Sequence, residues 1–446
     1  MTTPSRSAPS LPRGLTYARA RLFLGISGVG SVVLLTAALL YFRIPSRGLS
    51  SSAGEPLARA LFSVGLLCAF SQIAFVLFDV IGGSSLVRRQ PWRGPWLARW
   101  LRGVSVQWAV WMLAATALML AARAGGNPAA VAVFVVVQFL LAFWRGRMAR
   151  VIARLPIVPT PARIASAAAQ AGLDESWLQV LDSPDESFVG GWSGLTARTL
   201  VVPARWAQLP EPALAGMLLR RRIAGTSGAH TRGVLGAIGW NTLGFVVALA
   251  LTGVSPASAG GVIALAAAMT LWAFLGVLLL PTPSRAAVFA LDAAATASMG
   301  AGPMRTGIEL LDQWQDDEPV RSAGVETVFH PVPGRSARIA RLVSNANAVK
   351  PWHAHHLARH ALWLSWGACT PLARAVGAKV TVAEMPPGPP VVQAVVALTT
   401  ARFGRERLQL CRCQAANHPI PQVRLGDWLH QETRGAQRLG LIAHVV

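Results

Sequence analysis

Residues 260–280 read GGVIALAAAMTLWAFLGVLLL, a stretch with no charged side chain. At about 1.5 Å per residue it is long enough, as a helix, to cross a hydrocarbon core roughly 30 Å thick. Gly233 to Leu251 is a similar run just before it, and Arg21 to Phe42, Leu61 to Ile81, Val104 to Ala122 and Pro128 to Phe143 approach the same length. These runs predict an α-helical polytopic membrane protein with about six transmembrane helices. Composition agrees. Of 446 residues, 53% are hydrophobic and 13% charged, with mean hydropathy +0.45, whereas a soluble chain carries roughly a quarter charged residues.

The net charge of +22 is almost entirely arginine, since Lys350 and Lys379 are the only lysines. From Met1 to Leu173 the only acidic residues are Glu55 and Asp79, while arginines recur at nearly every helix end. That pattern is expected of loops held against anionic lipid, so the bilayer rather than nucleic acid is the expected partner. The densest short basic loop carries Arg88, Arg89, Arg93, Arg99 and Arg102, and the positive-inside rule places it in the cytoplasm. Counting from it puts both termini on the same side, in a bacterial inner membrane. Trp92, Trp96, Trp100 and Trp108 gather at one boundary, as amphipathic rings do. Asp79, beside Gly82 and Gly83, reads as a capped or interfacial carboxylate.

Four cysteines, Cys68, Cys369, Cys411 and Cys413, are too scattered for a disulfide framework. Outside the apolar runs, Leu178 to Leu181 and Thr199 to Val202 alternate like strands, with Gly190, Gly191 and Gly194 as turns. Pro212 to Ala224 reads as a helix because Leu214, Met217 and Leu218 share a face and a proline and a glutamate lie at its start. Ser284 to Ala301 and Met304 to Gln315 read as helices, and Asp316-Asp317-Glu318 as a solvated turn. Lys379 to Glu384 could be a strand, Pro386 to Pro390 is a turn or extended linker, and Val391 to Cys413 is a hairpin or a helix.

Several stretches, in order, resemble the membrane zinc metallopeptidases of the HtpX and CAAX-prenyl-endopeptidase family. They are Phe78-Asp79-Val80-Ile81-Gly82-Gly83 with Arg88-Arg89 and Trp96-Leu97; Val180-Leu181-Asp182-Ser183-Pro184 with Phe188 and Gly190; and Phe329-His330-Pro331 followed by Arg338-Ile339-Ala340-Arg341-Leu342. The resemblance implies a cytoplasmic α+β zincin-like domain. It divides the chain into a disordered tail (1–20), four membrane helices (21–147) with a basic loop (83–103), a first peptidase-like part (148–232), a membrane hairpin (233–281), a second peptidase-like part (282–342) and a cytoplasmic extension (343–446).

The family's chemistry needs His-Glu-x-x-His on one helix, two histidines sharing a face to hold Zn²⁺ and a glutamate to polarise water. Aligned on Pro212 to Ala224, those positions read Arg220-Arg221-Arg222-Ile223-Ala224. The two ligands become Arg220 and Ala224, and the base becomes Arg221. The third ligand, a glutamate in the family, maps onto Val288, and only Asp292, which supports a ligand histidine in working relatives, is kept. A guanidinium neither ligates zinc nor abstracts a proton, so the resemblance implies a degenerate site with no catalytic residue, no metal and no cofactor. Arg220 and Arg221 either pair with Asp292 or hold an anion or a partner's carboxylate. A contact of either with Asp292 in a closed cleft is the outcome that rejects the anion.

His353-Ala354-His355-His356-Leu357-Ala358-Arg359-His360 is the competing signal, because His356 and His360 four apart on a helix could chelate a metal. Cys411-Arg412-Cys413 with His418 offers further soft ligands. The expected function is a catalytically inactive pseudo-peptidase, acting as a protein-binding scaffold, regulator or accessory subunit of a membrane complex. The alternative is an active metalloendopeptidase whose ligands come from His353 to His360.

Overall fold

The computed structural model describes residues 17–49, 51–81, 95–153, 155–183, 188–315, 330–344, 353–368 and 370. The basic segment 83–94, Asp316 to Glu318, Lys379 to Glu384, Pro386 to Pro390, Val391 to Cys413 and His418 lie outside these residues.

Four helical stretches are long and apolar enough to cross a membrane: Phe23–Tyr41, Trp100–Met148, Ala229–Thr252 and Ala259–Leu279, with a shorter apolar one at Leu57–Ile73. They belong to α1 (Tyr17–Tyr41), α4 (Pro95–Ala153), α7 (Ala229–Thr252), α8 (Ala259–Leu279) and α3 (Leu57–Val80), and a single turn, α2 (Ile44–Gly48), follows α1. Helix α4 is broken at Gly125 and Gly126, the latter at φ 68°, a conformation that suits glycine. Pro128 follows at the head of the second arm, where its missing N–H is tolerated. The runs Val104 to Ala122 and Pro128 to Phe143 are thus two arms of one broken helix. Large apolar side chains such as Leu34, Phe62, Ile73, Leu113, Phe143 and Leu243 face outward from these helices. Water would penalise that surface and lipid would not.

Inside, Ala60, Val64, Trp111, Ala115, Ala237 and Val262 share one core, and small residues let the helices approach closely. A Cβ on Gly244 would fall 2.2 Å from the Trp272 ring, so only glycine fits there. At the end of α3, Asp79 is buried and accepts a hydrogen bond from Trp100 Nε1 at 2.8 Å, which is the capped carboxylate the sequence implies.

The sheet-bearing unit begins with α5 (Ala162–Gln170) and holds three strands in the order β1-β3-β2, where β1 is Leu178–Leu181, β2 Gly191–Ser193 and β3 Thr199–Pro203. β1 and β3 are parallel, with Val180 opposite Val202; β2 runs antiparallel, with Trp192 opposite Leu200. Reading Gly190, Gly191 and Gly194 only as turns misses β2, a strand too short to show alternation. Against the sheet pack α6 (Glu211–Thr226), α9 (Pro281–Met299), α10 (Ala301–Trp314) and α11 (Arg335–Ser344). Their shared core holds Ile164, Leu200, Trp206, Leu218, Leu291 and Met304. Helix α9 starts at Pro281, directly after α8, with Pro281 and Pro283 in its first turn.

Residues 353–368 do not stand apart from the apolar helices. α12 (Leu357–Leu364) packs on α7, and Ala358, Ala361, Leu364 and Trp366 join the core of α4, α7 and α8. Polar groups pin it there. Gln138 Nε2 donates to Leu364 O at 2.9 Å, Asn241 Nδ2 donates to Ala361 O at 3.0 Å and to Gln138 Oε1 at 3.1 Å, and Ala358 N donates to Ser284 Oγ at 3.1 Å. The single 3₁₀ turn that follows α12, Ser365 to Ala368, is buried by surrounding protein.

Candidate functional site

Helix α6 carries Arg220 on its inner face because Leu214, Met217, Leu218 and Ala224 bury the same side against α9 and α10. Arg220 is 7% exposed, and its Nε donates to Asp292 Oδ1 on α9. Arg338 on α11 donates to the same carboxylate twice, Nε to Oδ2 at 2.7 Å and Nη2 to Oδ1 at 2.9 Å. Burial alone would raise the Asp292 carboxyl, but Arg338 and Arg220 overcome it and hold it below the usual range. Burial depresses Arg220 while Asp292 supports its charge.

Two cations share one carboxylate, so the trio carries a residual positive charge. The Arg220 contact with Asp292 is the outcome that speaks against an anion held by Arg220. Sequence reasoning did not single out Arg338, because a partner 46 residues away leaves no local signal, although the arginine lies inside a quoted family-like segment.

Arg221 points elsewhere. Its Nη2 donates to Val189 O at 3.3 Å and its guanidinium lies 5.8 Å from the Trp206 ring. Burial, reinforced by Arg220, Arg359 and Arg338, pushes it down to about 9. Trp192 Nε1 on β2 donates to Arg221 O at 2.6 Å, and its ring lies so close to Gly225 that an added Cβ would sit 2.7 Å away. The edge strand is therefore stitched to α6 in two places, with an indole filling the gap. The Ser193 side chain at the end of β2 also meets α4, since an added Cβ on Gly146 would fall 1.9 Å from its Oγ. Ala224 and Val288 are buried and apolar, with no lone pair to offer a metal.

The histidines form a second group, and His230, which the sequence did not point to, belongs to it. His356 is not on α12. It caps the helix at φ 56°, in the left-handed region, so the four-residue spacing to His360 does not place the two rings on one face; their centroids are 6.4 Å apart. The His355 and His356 rings lie 3.7 Å apart and tilted by 48°, and His230 meets His360 edge-on at 5.2 Å. His360 Nδ1 accepts from Arg145, and His353 is exposed. Among the described residues no three His, Cys, Asp or Glu side chains are arranged to hold a metal ion. Burial and neighbouring positive groups hold His355, His356 and His360 well below the ordinary imidazole range.

The described residues thus hold a buried ion trio, an indole filling the gap between β2 and α6, and a histidine group with arginines around it. No protein-family model matches this sequence, and comparison with curated proteins finds no significant match.

Proposed function

We propose that this chain is a catalytically inactive, membrane-embedded pseudo-peptidase, related to the HtpX and CAAX-prenyl-endopeptidase type, that works as a protein-binding scaffold, regulator or accessory subunit. The observation that carries this reading is the clamp on Asp292: Arg220 and Arg338 occupy the carboxylate that would otherwise orient a metal ligand. Arg220 and Ala224 one turn apart on α6, with Val288 and Asp292 one turn apart on the adjoining α9, are the arrangement a lost zinc site would leave. The Trp192 indole between β2 and α6 fits the same reading, since it fills space that a substrate side chain would need there.

In this reading six helical segments cross the bilayer: α1, α3, the two arms of α4, α7 and α8. Trp111 and Leu141, similar distances before and after the break at Gly125 and Gly126, share one core, as the arms of an antiparallel hairpin do. On the same reading the zincin-like domain and both termini lie on the cytoplasmic side of a bacterial inner membrane, an orientation supported by the arginines that flank the apolar runs. The binding partners are the bilayer and one or more membrane or cytoplasmic proteins.

Metal analysis of the purified full-length protein, paired with a peptide-cleavage assay and identification of proteins that co-purify in gentle detergent, tests the proposal. Metal-free protein without peptidase activity, recovered with a stoichiometric partner, supports it. One zinc per chain with chelator-sensitive cleavage overturns it.

A further inference from the structure

Where α4 ends and α7 begins, hydrogen bonds fix the state of two imidazoles. A carbonyl oxygen only accepts, so His230 Nε2, 2.8 Å from Gly194 O, carries its proton. A guanidinium only donates, so His360 accepts from Arg145 at Nδ1 and, being neutral, keeps its proton on Nε2. That Nε2–H is sealed from solvent and has no hydrogen-bond partner among the described residues; the same holds for His355 Nε2 and His356 Nδ1. His355 and His360 are 2% and 3% exposed. Three unsatisfied nitrogens in one buried group call for an occupant that hydrogen-bonds them.

The surrounding charge decides its sign. Arg145 comes from α4, Arg220 and Arg221 from α6, and Arg359 from α12, while His230 faces the group from α7. The nearby carboxylate, Asp292, is already taken by Arg220 and Arg338. Arg145 has His360 and the Trp363 ring, 5.5 Å away, as its contacts, and Arg221 has a carbonyl and the Trp206 ring. A metal cation fits poorly, because His360 uses one ring nitrogen to accept from Arg145 and protonates the other. Depth points the same way. Arg145 lies near the end of Trp100–Met148 and His230 near the start of Ala229–Thr252, the level at which headgroup phosphates sit.

We propose that His360, whose proton Arg145 fixes on Nε2, forms with His355 and His356 a binding site for a phosphate-type oxyanion, carried by a lipid headgroup or free in solution, with Arg145 as the positioning residue. The site is separate from the Arg220–Asp292–Arg338 trio and does not depend on whether the chain cleaves peptides. His360 offers its Nε2–H, His355 and His356 each have a ring nitrogen unpartnered among the described residues and free to take a proton, and the arginines of α4, α6 and α12 supply the positive field that favours an anion there.

The test measures the melting temperature of the full-length protein in uncharged detergent as inorganic phosphate replaces chloride at constant ionic strength. The same measurement is made in nanodiscs of phosphatidylglycerol or phosphatidylcholine. A rise of a few degrees with phosphate identifies a free-anion site, and a rise with phosphatidylglycerol alone identifies a headgroup site; either supports the proposal when it is lost in Arg145→Gln and kept in Arg305→Gln, an exposed control. An equal rise with chloride, persistence of the rise in Arg145→Gln, or no rise in any medium overturns it. Should Arg145→Gln fail to fold, native mass spectrometry of the unaltered protein decides: a retained phosphate or phospholipid at one per chain supports the site, and its absence rejects it.

Discussion

Arg338 bonds both carboxylate oxygens of Asp292, at 2.7 and 2.9 Å, and so ties α11 to α9 through a side chain that Arg220 on α6 also grips. Three helices meet at one buried anion. Such an arrangement contributes more to specifying how the helices meet than to net stability, because removing three charged groups from water offsets much of their attraction.

Asp292→Asn is therefore expected to destabilise the protein strongly, by about 3–5 kcal/mol, since it strands two buried guanidiniums. The triple substitution Arg220→Met, Asp292→Leu, Arg338→Met is expected to recover most of that loss. Thermal unfolding of the four proteins, the unaltered chain, Asp292→Asn, Arg338→Met and the triple variant, checks the order. A triple variant no better than Asp292→Asn would show that the charges themselves hold the helices.

Acid should act in two separate windows. His355, His356 and His360 have folded pKa values below 6.5, so the unfolded chain binds protons that the folded chain refuses. Their contribution is complete above pH 6.5 and declines as pH falls below it, at up to about 1.4 kcal/mol per pH unit for each group. Asp292, depressed below 3.8, contributes fully above that value and loses its contribution as pH falls through its lower folded pKa. Melting temperature against pH should bend first near 6.5, with His360→Phe reducing that slope. It should bend again in the acid limb, and Asp292→Asn should remove that second bend.

The parts readable in the sequence were those with a period or a length. The apolar runs, β1, β3 and the helix bearing Arg220 all appear within a few residues of their expected bounds, because burial on one face or in lipid imprints a pattern on consecutive residues. Long-range or strained features left no such imprint. Arg338 reaches Asp292 across the chain; β2 spans only Gly191–Ser193; and His356 leaves the helical register through a left-handed backbone angle. The packing of α12 among the apolar helices was equally hidden, since eight residues that mix Leu, Ala and Trp with Arg359 and His360 fit a surface helix as well as a buried one.

That packing should depend on its buried amides. Asn241→Leu removes the donor to Ala361 O and to Gln138 Oε1, leaving the Gln138 amide oxygen without that partner in an apolar core while Ala361 O keeps its bond from Ser365 N. In membrane proteins such bonds average well under 2 kcal/mol, so a loss of about 1 kcal/mol is expected, read as a lower melting temperature. Hydrogen exchange should rise at Ala358 to Leu364 in particular. Equal change throughout α7 would mean that Asn241 supports its own helix instead.

Reconstruction tests the ancestry most directly. Arg220→His and Ala224→His place two imidazoles one turn apart on the buried side of α6, Arg221→Glu restores a base between them, and Val288→Glu supplies a carboxylate from α9. Asp292, one turn beyond residue 288, would then be placed to orient a ligand histidine, although Arg338 continues to hold it. The quadruple variant is expected to bind one zinc per chain, with a chelator-sensitive rise in melting temperature, while the unaltered protein shows neither. Metal binding can succeed without peptide cleavage, because Trp192 still fills the groove beside β2, and cleavage should emerge only when Trp192→Ala is added. A quadruple variant that folds yet takes up no zinc would mean that α6 and α9 do not meet at a zincin angle, and that the likeness of the motifs reflects something other than shared descent.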